Sequence, residues 1–380
     1  MRASVVIAGL VAVLVGFGGS IAIILAAANA LGATPVETSS WVTALCISMM
    51  VTTAILSVHH RTPIVTAWST PGAAFIAGSS GITMAEGVGA FLFVALLIVI
   101  TALIRPLATA IEKIPTAVAA AMLAGVLFQF VVDIFDHVTG TPLLVLPLLL
   151  AFAALRNLWP IWAVPGVLAL GIILVYALSM AKPLTELQIS KLVWVTPHFD
   201  AGVLLSVGVP LYLVTMASQN LPGFAVLRAA GYKVPTRSIL SVTGLASLIT
   251  APFGAHTSNL AAITASICTG PDAHPDADKR WLCGPAYAAA YGVLALFGAS
   301  VVTVFASYPE ALIVAVAGIA LTGPLLNALS TSLTVEKDQF AAITTFVVTA
   351  SGITAFELGA AFWGLLAGLG VYALPRLLRR

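Results

Sequence analysis

The sequence predicts an all-α polytopic membrane protein. Three observations carry that class: extreme apolarity, repeated apolar segments of bilayer length, and basic residues gathered on one side. Of 380 residues, 60% are hydrophobic and 8% charged, with a mean hydropathy of +1.10. Soluble domains carry about 25% charged residues, so a soluble core does not account for this composition. The 31 glycines and 21 prolines suit close-packed, interrupted membrane helices. A net charge of +2 with no basic tract offers nothing to a nucleic acid.

A helix needs about 20 apolar residues to cross a bilayer. In chain order, segments near that length lie at 4–28, 38–58, 63–80, 84–105, 114–136, 141–156 and 159–181. After a polar stretch they resume at 199–226, 236–250, 252–268, 284–306, 309–329, 339–355 and 357–375. The first follows Arg2 and ends in Ala-Ala-Ala-Asn-Ala, as a cleaved leader does. Its run from Ala3 to Ala28 exceeds the about 7–15 apolar residues of a leader, so it reads as a retained first span. Twelve crossings plus two re-entrant pieces would give the same pattern.

With the N-terminus inside, fourteen of the sixteen basic residues fall on the inner side: Arg2, Arg61, Arg105, Lys113, Arg156, Arg228, Lys233, Arg237, Lys279, Arg280, Lys337, Arg376, Arg379 and Arg380. Only Lys182 and Lys191 fall outside. That asymmetry places both termini in the cytoplasm and the protein in the cell's inner (plasma) membrane. Seven segments per half put the halves in opposite orientations: an inverted repeat of 1–181 and 199–380 joined by an extracytoplasmic linker, 182–198. Ile114-Pro115-Thr116-Ala117-Val118-Ala119 resembles Tyr308-Pro309-Glu310-Ala311-Leu312-Ile313, half a chain later.

Two segments are broken. His59-His60-Arg61 gives way to Val65-Thr66-Ala67-Trp68, and then Ser69-Thr70-Pro71-Gly72 opens a new apolar run. Ser-Thr-Pro is good helix-start chemistry, whereas Pro and Gly do not sit inside a continuous helix. The second break, Pro252-Phe253-Gly254-Ala255-His256-Thr257-Ser258-Asn259, matches it in the other half. Non-helical backbone survives in hydrocarbon only where protein or a cavity satisfies it, and paired interrupted segments mark transporter sites.

The reading expects half-helices starting at Ser69–Gly72 and at Gly254–Ser258, with their N–H groups and positive dipole ends aimed at one small carboxylate. His256 is the only ionisable side chain placed near mid-membrane; the carboxylates Asp133, Asp136, Asp200, Glu86, Glu310 and Glu357 all fall toward segment ends. It either relays a proton or hydrogen-bonds within the bundle for packing. Ser218, Gln219 and Asn220 either donate to the ligand or glue helices together. Phe253, Thr322 and Asn327 are candidate cavity lining, and Trp68 would suit an aromatic body.

Cys46, Cys268 and Cys283 lack metal spacing and read as buried free thiols. His59-His60 has no further ligand nearby and reads as loop. The chain holds no His-Glu-x-x-His, no Gly-x-Ser-x-Gly and no paired membrane aspartates, so an intramembrane enzyme is not expected. No cofactor is expected beyond a coupling proton, and no metal.

Val65–Ala74, Met216-Ala217-Ser218-Gln219-Asn220-Leu221-Pro222-Gly223 and Pro252-Phe253-Gly254-Ala255-His256-Thr257 resemble the benzoate/proton symporter family, and the resemblance runs the length of the chain. It implies a fold distantly similar to the uracil transporter: seven-plus-seven inverted repeats, with a core of spans 1–4 and 8–11 and a gate of spans 5–7 and 12–14. Each broken span would be a short strand followed by a half-helix. Relatives often dimerise through the gate, which makes a homodimer an expectation. The implied ligand is benzoate or a related aromatic carboxylate, carried with a proton, with substrate contacts at Trp68, Ser69, Thr70, Pro71, Gly72, Ser218, Gln219, Asn220, Gly254, Ala255, His256, Thr257, Ser258 and Asn259. Neutral amides stand on the eighth span where uracil-type relatives hold acidic or histidine ligands, which raises the stake on His256. The alternative is an uncoupled or differently coupled small-anion or nucleobase carrier of the same fold.

Overall fold

The computed structural model describes residues 3–104, 115–183, 189–261, 263–353, 355 and 360–378. Arg2, Arg105, Lys113, Glu357, Arg379 and Arg380 lie outside the described residues, as do the Ser218 and Arg376 side chains. The first half runs α1 (Ala3–Gly18), α2 (Ile21–Ala30), α3 (Pro35–His60), β1 (Thr66–Trp68), α4 (Thr70–Ala77), α5 (Met84–Leu103), α6 (Thr116–Gly140), α7 (Pro142–Leu158) and α8 (Ala163–Ala177). A continuous helical run over residues 201–229, α9, opens the second half. It is followed by α10 (Thr236–Thr250), β2 (Ser258–Leu260), α11 (Ile263–Thr269), α12 (Cys283–Ala306), α13 (Glu310–Ser332), α14 (Gln339–Ala350) and α15 (Ala360–Leu378). Among the described residues, six helical stretches are long and apolar enough to cross a membrane.

Local chemistry explains the boundaries. Thr34 opens α3 and Thr83 opens α5, each through a capping box with the glutamate three residues on, Glu37 and Glu86. The first apolar span is two helices, not one, because the chain breaks at Gly19-Ser20, where the Ser20 hydroxyl turns back onto the Gly16 carbonyl at 2.5 Å. Pro115 and Pro309, the matched residues of the two halves, stand immediately before α6 and α13.

Packing sorts the helices into two sets. α3 lies along α12, α5 along α10, and α1 against α11 and α12. α6 lies along α13 and α14, and α14 against α15. Short contacts from α2 to α13 and from α4 to α6 join the sets.

The two breaks meet in a two-stranded antiparallel ladder that pairs Thr66 with Leu260, Ala67 with Asn259 and Trp68 with Ser258. The first half-helix begins as expected, with Ser69 as its cap. The second does not begin at Gly254–Ser258. There the chain makes a 3-10 turn (Ala251–Phe253), passes Gly254 at φ +98°, forms β2 and enters α11 only at Ile263. Pairing with β1 holds Ser258–Leu260 extended and delays the helix. Pro252 and Gly254 therefore precede their strand, whereas Pro71 and Gly72 follow theirs, so the two Pro-Gly breaks are not equivalent positions.

Candidate functional site

The start of α4 faces the ladder and the middle of α9. Ser69 Oγ accepts the Gly72 N–H at 3.0 Å, closing the first turn, and Pro71 has no N–H to satisfy. A side chain at Gly72 would meet Leu211 at 2.8 Å, so glycine here lets α9 approach the helix start. Trp68 seals the flank: its indole N–H donates to Ser20 Oγ at 2.9 Å, and its ring meets Phe17 and Tyr291 edge-on. The break between α1 and α2 thus places Ser20 to hold Trp68.

The second break is held by buried side chains. His256 Nε2 donates to the Ser69 carbonyl at 3.0 Å, and Nδ1 accepts from the Trp41 indole N–H at 3.3 Å. Gly254 is confined by Trp41, whose Cβ would lie 3.0 Å from an added side chain. In α9, residues Met216–Asn220 form a π turn, a feature often found at functional positions. It aims Asn220 at β2, where Oδ1 accepts the Leu260 N–H at 3.0 Å and Nδ2 donates to Asn259 Oδ1 at 3.1 Å. Asn259 Nδ2 donates to Thr257 Oγ1 at 3.0 Å.

In one orientation the Asn259 amide accepts from Asn220; turned over, its oxygen accepts from the Ser69 N–H at 3.3 Å and from Thr257 Oγ1 at 3.0 Å, and its nitrogen donates to the Ser258 carbonyl at 3.1 Å. In both, the Asn259 amide stands against the Ser69 N–H at the start of α4. Ser69, Asn220, His256 and Asn259 are each 0% exposed, so the cluster is closed to solvent in this conformation.

Sequence reasoning overlooked the polar stripe of α3. Ser48 Oγ meets Ser258 Oγ at 2.5 Å, Thr52 and Thr53 both reach Thr66 Oγ1 at 2.7 Å, and Ser57 donates to the Ile64 carbonyl at 2.7 Å. Ser40 donates to the Phe253 carbonyl at 3.0 Å. These hydroxyls and the Ser247 Oγ, which accepts the Ser258 N–H at 2.8 Å, satisfy backbone that lipid could not. Small hydroxyl residues at positions 48, 52, 53 and 57 of one apolar helix were the available signal. Thr215 was also missed. Its Oγ1 is buried without a partner, and it lies one turn along α9 from Leu211, on the face packed at Gly72.

Other expectations fall away from the cluster. The Phe253 ring packs edge-on with Trp194 at 5.7 Å. Thr322 bonds to the Ile319 carbonyl of its own helix, and Asn327 is exposed on α13, so neither lines the cluster. His59 and His60 stack on each other, and His60 bonds Ser238. Among the described residues no group of three or more metal-ligating side chains occurs. Gln219 stands half-buried beside Asn220. A separate groove of about 640 Å³, lined by Leu10, Phe17, Leu168, Ile172, Ala290 and Val293 among others, is apolar throughout and reaches the cluster only through Phe17 against Trp68.

Two strands crossing inside a helical bundle, a helix start capped at mid-span and a closed neutral polar cluster define a multi-pass membrane transporter. The fold agrees with solved transporters. The transmembrane domain of the cyanobacterial bicarbonate transporter BicA superposes with a TM-score of 0.64 at 13% identity, covering 97% of each chain. The murine solute carrier 26 family member A9 anion transporter, in its inward-facing state, gives 0.65 at 11% identity over 99% of this chain and 68% of that one. By sequence the particular family is plain: residues 1–374 match the family described as benzoate membrane transport protein, and this chain belongs to it. It is 40% identical over 376 residues to inner membrane protein YdcO of Escherichia coli, covering 98% of this chain and 96% of that protein. It is 33% identical over 371 residues to the benzoate membrane transport protein of Acinetobacter baylyi, covering 97% and 94%.

Proposed function

We propose that this protein imports benzoate, or a similarly small aromatic carboxylate, together with a proton across the inner membrane. The observation that carries the reading is the buried start of α4, capped by Ser69 and faced by the Asn259 amide 3.3 Å from the Ser69 N–H, inside a neutral polar cluster. The aromatic wall at Trp68 and the adjacent Gln219 and Thr215 would receive the ring and its polar edge. The name of the Acinetobacter relative supports the substrate class. The two packing sets support a rocking mechanism in which spans 1–4 and 8–11 form a core that carries the site and spans 5–7 and 12–14 form a gate. Both termini lie in the cytoplasm, as the basic residues indicate.

Purified protein in proteoliposomes tests this. With the outside one pH unit more acidic, saturable uptake of labelled benzoate is expected to approach about tenfold accumulation at one proton per carboxylate. Absence of saturable benzoate uptake overturns the substrate reading. Saturable uptake indifferent to the pH gradient leaves an uncoupled anion carrier instead.

A further inference from the structure

We infer that the proton accompanying the substrate travels on the substrate's own carboxyl group, and that His256 is a neutral positioning residue rather than a proton carrier. The inference rests on the carboxylate reading above and assigns the coupling step within it.

The chemistry of its two partners determines the state of His256. Trp41 can only donate and the Ser69 carbonyl can only accept, so the ring holds its single proton on Nε2 and presents a lone pair at Nδ1. A second proton at Nδ1 would face the indole N–H with no acceptor. Aromatic rings from two elements pack around the imidazole, Trp41 at 5.9 Å from α3 and Phe91 at 6.2 Å from α5, and the third neighbour is the Ser69 cap of α4. Among the described residues the ion pairs are Glu86 with His198 and Lys279 with Asp276, neither of which touches His256. The bonds it does make tie the loop before β2 to the cap of α4 and so hold the two breaks in register.

No other group replaces it. The stretches 62–85, 201–227 and 238–271, which build both breaks and the face of α9, hold no Asp, Glu, Lys or Arg, and His256 is their only histidine. The nearby phenols are engaged as neutral groups: the Tyr287 hydroxyl donates to the Thr66 carbonyl at 2.8 Å, and Tyr212 bonds Thr101. A carboxylate sealed among these groups has only N–H donors and a helix end worth about half a charge to offset lost hydration. Burial without a full counter-charge favours the neutral form of an acid. Amide and hydroxyl side chains such as Gln219 and Thr215 can accept as well as donate, so they serve a carboxylic acid as readily as a carboxylate.

The step balances simply. The carboxylate takes one proton from the outer solution as the site closes, crosses as the neutral acid, and loses that proton to the inner solution on release. One carboxylate and one proton move inward, and no net charge does.

His256→Gln is the test, because glutamine offers one donor and one acceptor but does not titrate. In proteoliposomes, this variant is expected to keep one proton entering per benzoate, read by an internal pH dye, whatever the change in its rate or affinity. Exchange of labelled for unlabelled benzoate, with no gradient, reports the folded carrier. Retained exchange with benzoate entry that brings in no proton overturns the proposal and gives the proton to His256. A second measurement needs no variant: benzenesulfonate has the same ring but stays ionised. It is expected to compete with benzoate while carrying no proton inward, read by an internal pH dye. Sulfonate entry with a proton overturns the proposal. Failure of the parent protein to take up benzoate or to be competed by aromatic acids overturns the carboxylate reading itself, a result separate from either of these.

Discussion

Both broken spans combine a Pro-Gly element, three residues of strand and a short helix, yet they assemble these parts in different orders. In the first, the strand comes before the proline: β1 ends at Trp68, Ser69 caps, and Pro71 and Gly72 form the opening turn of α4. In the second, Pro252 and Gly254 end the preceding helix, β2 follows, and α11 starts at Ile263. The first break is therefore stabilised locally by a cap reaching three residues along the chain. The second is stabilised by distant side chains, Trp41, Ser247 and Asn220 among them. Similar composition yields two kinds of break because proline tolerates both a helix's first turn and a 3-10 turn.

Substitutions at the second break are expected to cost more than those at the first. The largest effect falls on Gly254→Val. The backbone there is left-handed at φ +98°, which costs a branched residue about 1–2 kcal/mol before contacts, and the added atoms collide with Trp41 and Met84. Loss of a monodisperse peak in detergent is the expected result; a stable Gly254→Val protein would show that Trp41 does not confine this turn. Next comes Asn220→Leu, which strands the buried Leu260 N–H and the Asn259 amide at about 1–3 kcal/mol each. Thermal unfolding should fall by several degrees and uptake should vanish. Asn220→Asp is the sharper companion. It keeps an acceptor for Leu260 but loses the amide donor to Asn259, so it should unfold closer to the parent protein while still weakening benzoate uptake.

Ser69→Ala, at the first break, removes only the cap and should lower stability by about 1 kcal/mol. Its measurable consequence is weaker benzoate affinity with the fold retained. An effect as large as that of Asn220→Leu would erase the contrast between the breaks.

The smallest effect lies beyond α11, in the loop that ties down its end. Arg280 Nη1 donates to the Thr269 carbonyl at 2.8 Å, and Asp276 caps the following turn at Asp278. The Lys279 ammonium and the Asp278 N–H hold the Asp276 carboxyl below the usual carboxylate range. A lowered pKa means the folded state favours the ionised form. Its contribution is present above the ordinary aspartate pKa and fades as pH falls through the depressed one. Exposed to solvent, it should leave only a slight acid-side difference between parent and Asp276→Asn melting curves.

Much of this was legible in the sequence. Apart from 4–28, which forms two helices, the apolar segments overlap a helix or a strand and short helix, and the Ser69-Thr70-Pro71 start stands where its chemistry predicts. The second helix start was not legible. The residues that hold 258–260 extended are Thr66–Trp68 on another span, and no window of local sequence contains both. His256 is isolated in sequence, which left a proton relay and a packing role both open, and its partners Trp41 and Ser69 are visible only in space. The hydroxyl stripe of α3 was readable as a pattern, but its purpose required seeing β1 and β2 laid along it.

By itself the sequence determined the class, most of the helical segments and the first break, because apolar length and helix caps act over a few residues and need no partner. Only the tertiary structure decided how the two strands pair, where α11 begins and which side chains converge on Ser69 and His256. Those outcomes depend on buried polar groups finding one another across long separations, 215 residues between Trp41 and His256 and 187 between Ser69 and His256. In a medium without water, each such group must find a partner, and which partner it finds is a property of the fold.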